Sequence, residues 1–140
     1  MQTFEILRVV LIAGIFGYPM AAFSWTKEMD RGLILFNVAS DSLSLTFVCD
    51  PNDSYEADQT SVQVSISGES MPSGPVTFTF QDQEQVVVEL VYGSLLRANI
   101  GSEQWELLVE GLTHNDRVDV TVGSTSMHLR TGEALPAICE

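Results

Sequence analysis

Residues 43–49 read Leu43-Ser44-Leu45-Thr46-Phe47-Val48-Cys49, and apolar side chains recur in this run with a period of two. Successive side chains of a β-strand point to opposite faces, so the run predicts a strand with one buried face. The odd-numbered residues from Leu43 to Cys49 form that apolar face. We therefore expect Cys49 to point into a hydrophobic core.

The same alternation recurs along most of the chain. The further apolar sets are Val62, Val64 and Ile66; Val76, Phe78 and Phe80; Trp105, Leu107 and Val109; and Val118, Val120 and Val122. Residues 33–38, 86–91 and 126–130 are additional candidate strands, and stretches rich in Gly, Pro, Asn and Asp separate the runs. About seven or eight short strands joined by local turns predict an all-β domain, an antiparallel β-sandwich or flattened barrel.

The N-terminal segment is typical of a signal peptide. Residues 9–23 carry no charge, and they are fewer than the roughly 20 apolar residues that a membrane-spanning helix needs. Ala22 and Ser24 are small residues at the minus 3 and minus 1 positions of a cleavage site before Trp25. We expect residues 1–24 to be a signal peptide and 25–140 one β-rich domain. An uncleaved anchor and a buried element of the domain are the alternatives.

The charge balance narrows the classes of partner. The chain has 19 acidic and 6 basic residues, a formal net charge of −13. Such a surface repels nucleic acid and anionic lipid, so we expect neither as a ligand and contact with the membrane only through the signal segment. A basic partner and simple solubility outside the cytoplasm both explain the acidity, and solubility is the favoured explanation.

The chain has two cysteines, Cys49 and Cys139. Export would place them where thiols are oxidised, so the pair predicts a disulfide. Closing a loop of about 90 residues contributes on the order of 4 kcal/mol through loop-closure entropy. The pattern at residues 132–139 predicts a short turn, limited in length by Pro136, that brings Cys139 back against the strand that holds Cys49.

Residues 50–58 form the densest group of oxygen ligands. Hard cations such as calcium take six to eight oxygens, and the candidate ligands are Asp50, Asn52, Asp53, Glu56 and Asp58. A calcium loop would have Gly at the sixth position and Glu at the twelfth, whereas this loop has Tyr55 and Ser61 there. A solvated turn is therefore the favoured explanation over a cation site, and we expect no metal or other cofactor.

No motif points to catalysis. The two histidines are His114, in a predicted turn beside Asp116, and His128, on the polar side of a predicted strand. The nucleophile-elbow pattern Gly-x-Ser-x-Gly is absent. Trp25 and Trp105 are explained better by core packing than by stacking on a ligand. We assign no catalytic residue.

The chain resembles small exported bacterial β proteins, the invasion-associated locus B-like and the VasI-like, type VI secretion-associated periplasmic families. The resemblance rests on the N-terminal segment, Trp25, the strand at residues 43–49 and the ending at residues 127–139, which includes the late cysteine. It implies a β-sandwich-like domain in a Gram-negative periplasm with a non-enzymatic accessory role. It carries over no functional residue.

These observations favour a periplasmic or secreted, non-enzymatic binding or accessory protein. Its partner would be another envelope or extracellular protein, recognised through an exposed strand edge or through charge complementarity. The alternative is a small extracytoplasmic hydrolase, or a hydrolase inhibitor, that acts on cell-wall or carbohydrate material. A cleft joining a histidine to carboxylates would favour the enzyme, and an open edge strand with shallow grooves would favour the binding protein.

Overall fold

A computed structural model describes residues 25–40, 42–53, 55–67, 71–130 and 135. These residues form nine β-strands and one α-helix. In chain order they are β1 (Thr26–Asp30), β2 (Leu33–Ala39), β3 (Leu43–Cys49), β4 (Ser61–Ile66), β5 (Gly74–Phe80), β6 (Gln85–Leu90), β7 (Ser94–Leu96), α1 (Ser102–His114), β8 (Arg117–Val122) and β9 (Thr125–Arg130). A 3₁₀ turn at Arg97–Asn99 links β7 to α1.

The strands form two antiparallel sheets, and the predicted all-β sandwich is confirmed. One sheet has the order β1-β2-β3-β4-β7 and the other has the order β6-β5-β8-β9. The expected inner faces are buried, including all four odd-numbered residues of β3. Phe47 lies at the centre of its sheet, opposite Phe36 on β2 and Val62 on β4. The period-two alternation thus sets both the strands and their inner faces.

The prediction of a strand at residues 105–109 is wrong, because these residues lie in α1. The buried side chains of the helix are Trp105, Leu108 and Leu112, which recur at the spacing of a helix rather than a strand. Leu107, which the strand prediction placed in the core, is 37% exposed. Because residues 107, 108 and 109 are all apolar, they fit the period of a strand as well as that of a helix. The alternation therefore predicted the wrong element here.

Helix α1 packs against the inner residues of both sheets. The ring of Trp105 contacts that of Phe47 on β3, so core packing explains Trp105. The Cα of Gly111 lies against the ring of Phe80 on β5. The Gln104 amide donates a hydrogen bond of 3.2 Å to the Val87 carbonyl of β6. The helix therefore joins the core through contacts with both sheets.

Two strands escaped sequence prediction for a physical reason. All five residues of β1 are exposed, so the strand has no apolar face to produce an alternation. β7 has three residues, with Leu95 alone buried, which is too short to show a period. The strand count among the described residues is therefore nine rather than the predicted seven or eight.

Several predictions fall on residues outside the described ranges. They are the signal segment at residues 1–24 and Cys139 with most of the C-terminal turn. Leu135 is described: its side chain is buried in the core, and its backbone N–H donates to the Leu112 carbonyl at 2.9 Å. Among the described residues, no helix is long and apolar enough to cross a membrane.

Candidate functional site

The predicted cation loop brings three carboxylates together. Oxygens of Asp50, Asp53 and Asp58 all lie within 4.8 Å of one another. Asn52 and Glu56, the other two predicted ligands, have exposed side chains, and Glu56 is not part of this group. The loop thus gathers three of its five candidate oxygen ligands at one place.

Asp58 is engaged by donors of the chain itself. Its Oδ2 accepts from Arg97 Nε at 2.7 Å and lies 2.5 Å from Arg97 Nη2, while its Oδ1 accepts the Thr60 backbone N–H at 3.0 Å. Burial raises the pKa of Asp58, but hydrogen bonds from Thr60 and from Arg97 outweigh burial and hold the pKa below its ordinary value. The Asp58 carboxylate therefore holds Arg97, the first residue of the 3₁₀ turn, through an ion pair.

Asp50 organises the other end of the same loop. Its side chain is buried, and its Oδ2 accepts the Gln59 backbone N–H at 3.1 Å. The Asp50 backbone N–H in turn donates to the hydroxyl of buried Thr60 at 3.4 Å. These bonds tie the end of β3 to the start of β4. The acidic loop is thus a connection held by its own hydrogen bonds as well as a cluster of carboxylates.

His128 and Asp119 form the one His–carboxylate pair among the described residues. They are directly opposite on β9 and β8, and His128 Nδ1 contacts Asp119 Oδ1. The pair lies in a shallow groove of about 220 Å³ that Arg117 and Gln83 also line. This is the feature that the enzyme alternative requires at a minimum.

The order of side chains across the sheet does not form a catalytic triad. Thr79 on β5 is opposite Asp119, and Asp119 is opposite His128, so the carboxylate lies between the hydroxyl and the imidazole. A nucleophilic triad needs the imidazole between the other two groups. β9 pairs only with β8 in the described part of the chain. The arrangement is an exposed cross-strand contact between an imidazole and a carboxylate.

His114 ends α1 rather than occupying the predicted turn. Its Nδ1 lies 2.9 Å from the Glu110 carbonyl, and the Asn115 amide donates to the Gly111 carbonyl at 2.8 Å. Both side chains therefore satisfy carbonyls of the last helical turn. The role of His114 is explained by helix capping.

The edge strand β1 is the feature that best suits partner binding. It pairs with β2 and with no other described strand. By its register, Met29 is opposite Ile34 and so lies on the inner face of the sheet, yet it is 73% exposed. The four-stranded sheet therefore does not cover the inner face of β1. An open backbone edge and an exposed apolar side chain occur together there.

Helix α1 carries a second exposed surface, which is acidic. Glu103, Glu106 and Glu110 are exposed and recur at helical spacing, away from the buried face. The buried side of the helix consists of Trp105, Leu108 and Leu112.

Comparison with protein-family models, with curated proteins and with solved structures finds no match to the chain.

Sequence reasoning missed two of these pairings. Arg97 lies 39 positions from Asp58, and nothing in the local pattern connects them. The His128–Asp119 pair had a readable signal: a two-residue turn at Gly123-Ser124 between alternating runs fixes a register that places the two residues opposite each other.

Proposed function

We propose that the chain is an exported, non-enzymatic binding or accessory protein that contacts another protein of the bacterial envelope through β1. The open edge of β1, with inner-facing Met29 exposed, is the observation that carries the proposal. The described surface has shallow grooves, which also supports the proposal. Neither His128 nor His114 lies in a nucleophile–base arrangement there.

The mode of binding would be strand addition. An edge strand presents unpaired backbone N–H and C=O groups, and a partner strand that pairs with them gains main-chain hydrogen bonds. The partner's inner-facing side chains would then cover Met29 and extend the core of the sandwich. Burying a methionine side chain contributes about 1.5–3 kcal/mol, a useful part of a transient complex.

Charges on β1 set the chemistry of that partner. The register places Glu28 and Asp30 on the outer face of the sheet and Lys27 on the inner face. Opposite charges on directly opposed strand residues stabilise a pair, whereas like charges destabilise it. The partner strand would therefore carry basic residues against Glu28 and Asp30, which also suits the net charge of −13.

Site-specific photo-crosslinking in the native extracytoplasmic fraction tests this function. A photoreactive residue replaces Met29 in one variant and Leu107 in a matched control, because both side chains are large, apolar and exposed. We expect one discrete protein to be crosslinked from position 29 and not from position 107. Equal crosslinking from both positions, or none from position 29, would contradict binding through β1.

Export and the disulfide belong to the same proposal. The uncharged run at residues 9–23 supports a cleaved signal peptide and a periplasmic or secreted location. Buried Leu135 lies four residues before Cys139 and bonds to Leu112 of α1, the helix whose Trp105 contacts Phe47 near Cys49. The return of Leu135 to the helix that contacts β3 supports a disulfide between Cys139 and Cys49.

A small hydrolase, or a hydrolase inhibitor, acting on cell-wall or carbohydrate material is the second candidate. The His128–Asp119 pair in its groove is the observation that favours hydrolysis. Turnover of a purified wall or glycan substrate that His128→Ala abolishes would support the enzyme. Unchanged turnover in that variant would show that the pair plays no part.

A further inference from the structure

We infer that the outer face of the five-stranded sheet carries a second site, which takes a neutral, hydroxyl-rich ligand of the oligosaccharide class. A groove of about 290 Å³ crosses β3, β4 and β7 there. Thr46 and Gln63 lie on its floor, and Tyr92 and Met71 line its side. This site goes beyond the proposed binding through β1, which is the opposite edge of the same sheet.

The described lining of the groove is uncharged in a strongly acidic chain. None of the nine described residues that line it is Asp, Glu, Lys, Arg or His. Its polar groups are hydroxyls and one amide, which both donate and accept hydrogen bonds. A charged ligand would find no ion-pair partner in the groove, whereas a ligand whose own polar groups are hydroxyls matches it. The neutrality of the groove therefore selects a neutral ligand.

The polar floor extends as a straight row across the whole sheet. The residues directly opposite one another, from β1 to β7, are Thr26, Asn37, Thr46, Gln63 and Ser94. Within the row the Thr46 hydroxyl donates to the Asn37 amide oxygen at 2.7 Å, which fixes the orientation of both side chains. A row of fixed hydroxyl and amide groups can bond successive hydroxyls of an extended sugar chain.

One aromatic and one thioether side chain stand beside this floor, and both residues have an unusual backbone conformation. Tyr92 has a φ of 49° and Met71 a φ of 44°, in the left-handed region that side chains other than Asn, Asp and Gly rarely occupy. They are 75% and 67% exposed, so burial in the core does not explain them. Tyr92 and Gly93, whose φ is 75°, form the two-residue turn between Val91 and Ser94, so the turn sets this conformation and leaves the ring exposed beside the groove.

Hydrogen bonds hold Tyr92 in place at the groove. Its backbone N–H donates to the Ser73 hydroxyl at 3.0 Å. The adjacent Gly93 donates to the Pro72 carbonyl at 2.7 Å and accepts from the Val64 N–H at 2.8 Å, and a Cβ at position 93 would lie 2.9 Å from the Val64 carbonyl oxygen. The turn is therefore pinned to β4 on one side and to residues 72–73 on the other. A fixed backbone reduces the entropy lost when a ligand packs on the ring.

The exposed ring supplies the apolar half of saccharide recognition. The C–H face of a pyranose ring is apolar and packs on an aromatic face, while its hydroxyls bond polar groups beside it. Ligand sites commonly combine such an aromatic surface with a few placed polar groups. A peptide strand is the poorer fit, because the backbone groups of β3 and β4 are already paired on both sides. The groove therefore suits one or two sugar rings.

Binding to defined neutral glycans tests the site. The probes are soluble oligosaccharides of glucose, xylose, mannose and N-acetylglucosamine, with heparin as a charged comparison, and affinity is measured by titration calorimetry. We expect at least one neutral probe to bind and heparin not to bind. Binding of heparin alone, or of no probe at millimolar concentration, would overturn the inference.

Substitutions locate the binding. Tyr92→Asn removes the ring and places a residue that tolerates left-handed φ, so the variant should unfold at the same or a higher temperature. We expect it to weaken binding at least about tenfold, or about 1.4 kcal/mol. Tyr55→Ala removes an exposed tyrosine outside the groove and should leave affinity unchanged. Equal affinity of Tyr92→Asn and the unmodified chain would contradict the site. Crosslinking from Met29 is unaffected by either result, so this site and the proposed function fail separately.

Discussion

The ring centroids of Phe47 and Trp105 lie 5.8 Å apart, with their planes inclined by 32°. This tilted contact joins the central strand β3 to α1, two elements separated by more than 50 residues. Through it the helix becomes part of the core rather than an addition to its surface. The packing of α1 is therefore open to direct test by substitution.

The two adjacent leucines of α1 give opposite predictions for a helix and for a strand. Leu108 is fully buried and Leu107 is 37% exposed. We expect Leu108→Ala to lower the free energy of unfolding by about 2–5 kcal/mol and Leu107→Ala to lower it by less than about 1 kcal/mol. Urea unfolding measures both. A larger loss from Leu107→Ala would restore the strand prediction.

Gly111 is expected to be intolerant of the smallest side chain. A Cβ there would lie 2.2–2.6 Å from ring atoms of Phe80, which is itself buried. Gly→Ala in an exposed helix adds up to about 1 kcal/mol of stability. At this position we expect a loss of about 1–3 kcal/mol by overpacking. Thermal unfolding of Gly111→Ala, with neighbouring Glu110→Ala as control, checks the sign, and a gain in stability would contradict the close contact.

The Asp58–Arg97 pair predicts a pH-dependent stability. The pKa of Asp58 is lowered in the folded chain, so its contribution is present above the ordinary aspartate pKa and is lost as the pH falls through the folded pKa. We expect Asp58→Asn to cost about 0.5–1 kcal/mol at pH 7, because Arg97 is partly exposed. The difference from the unmodified chain should shrink below about pH 4. Asp116→Asn, an exposed control, should show no such trend; a loss for Asp58→Asn that is independent of pH would contradict the ionic role.

The cysteine pair predicts the covalent state of the exported protein. Its intact mass should lack residues 1–24 and should show no alkylation until the protein is reduced. Reduction should lower stability by about 4 kcal/mol, since the bond would close a loop of about 90 residues. A mass that retains residues 1–24 would contradict cleavage, and two thiols that alkylate without reduction would contradict the disulfide.

The sequence predicted those strands whose buried residues are also the apolar residues of a period-two pattern. On β3, β4, β5 and β8 one face is apolar and the other polar, so the alternation identifies both the strand and its buried side. The rule fails at residues 107–109, where three apolar residues in a row fit a helix equally well. It also fails for β1, whose exposed residues produce no pattern.

The candidate sites depend on contacts that the sequence does not determine. Asp58 and Arg97 meet because β4 and β7 are neighbours in one sheet, and the row from Thr26 to Ser94 requires the register of five strands. Short-range patterns predict neither the strand order nor these long-range pairings. The acidic loop was found from sequence because its ligands are close along the chain.

Crosslinking from position 29 would identify the partner. Amide hydrogen exchange of this chain in complex with that partner then tests binding through β1 most directly. In the complex, the amides of residues 26–30 should exchange at least about tenfold more slowly than in the free chain, because outward-facing N–H groups of β1 become bonded to a partner strand. The amides of α1 should be unchanged. Protection confined to α1 or to other surfaces, with residues 26–30 exchanging as in the free chain, would contradict strand addition at β1.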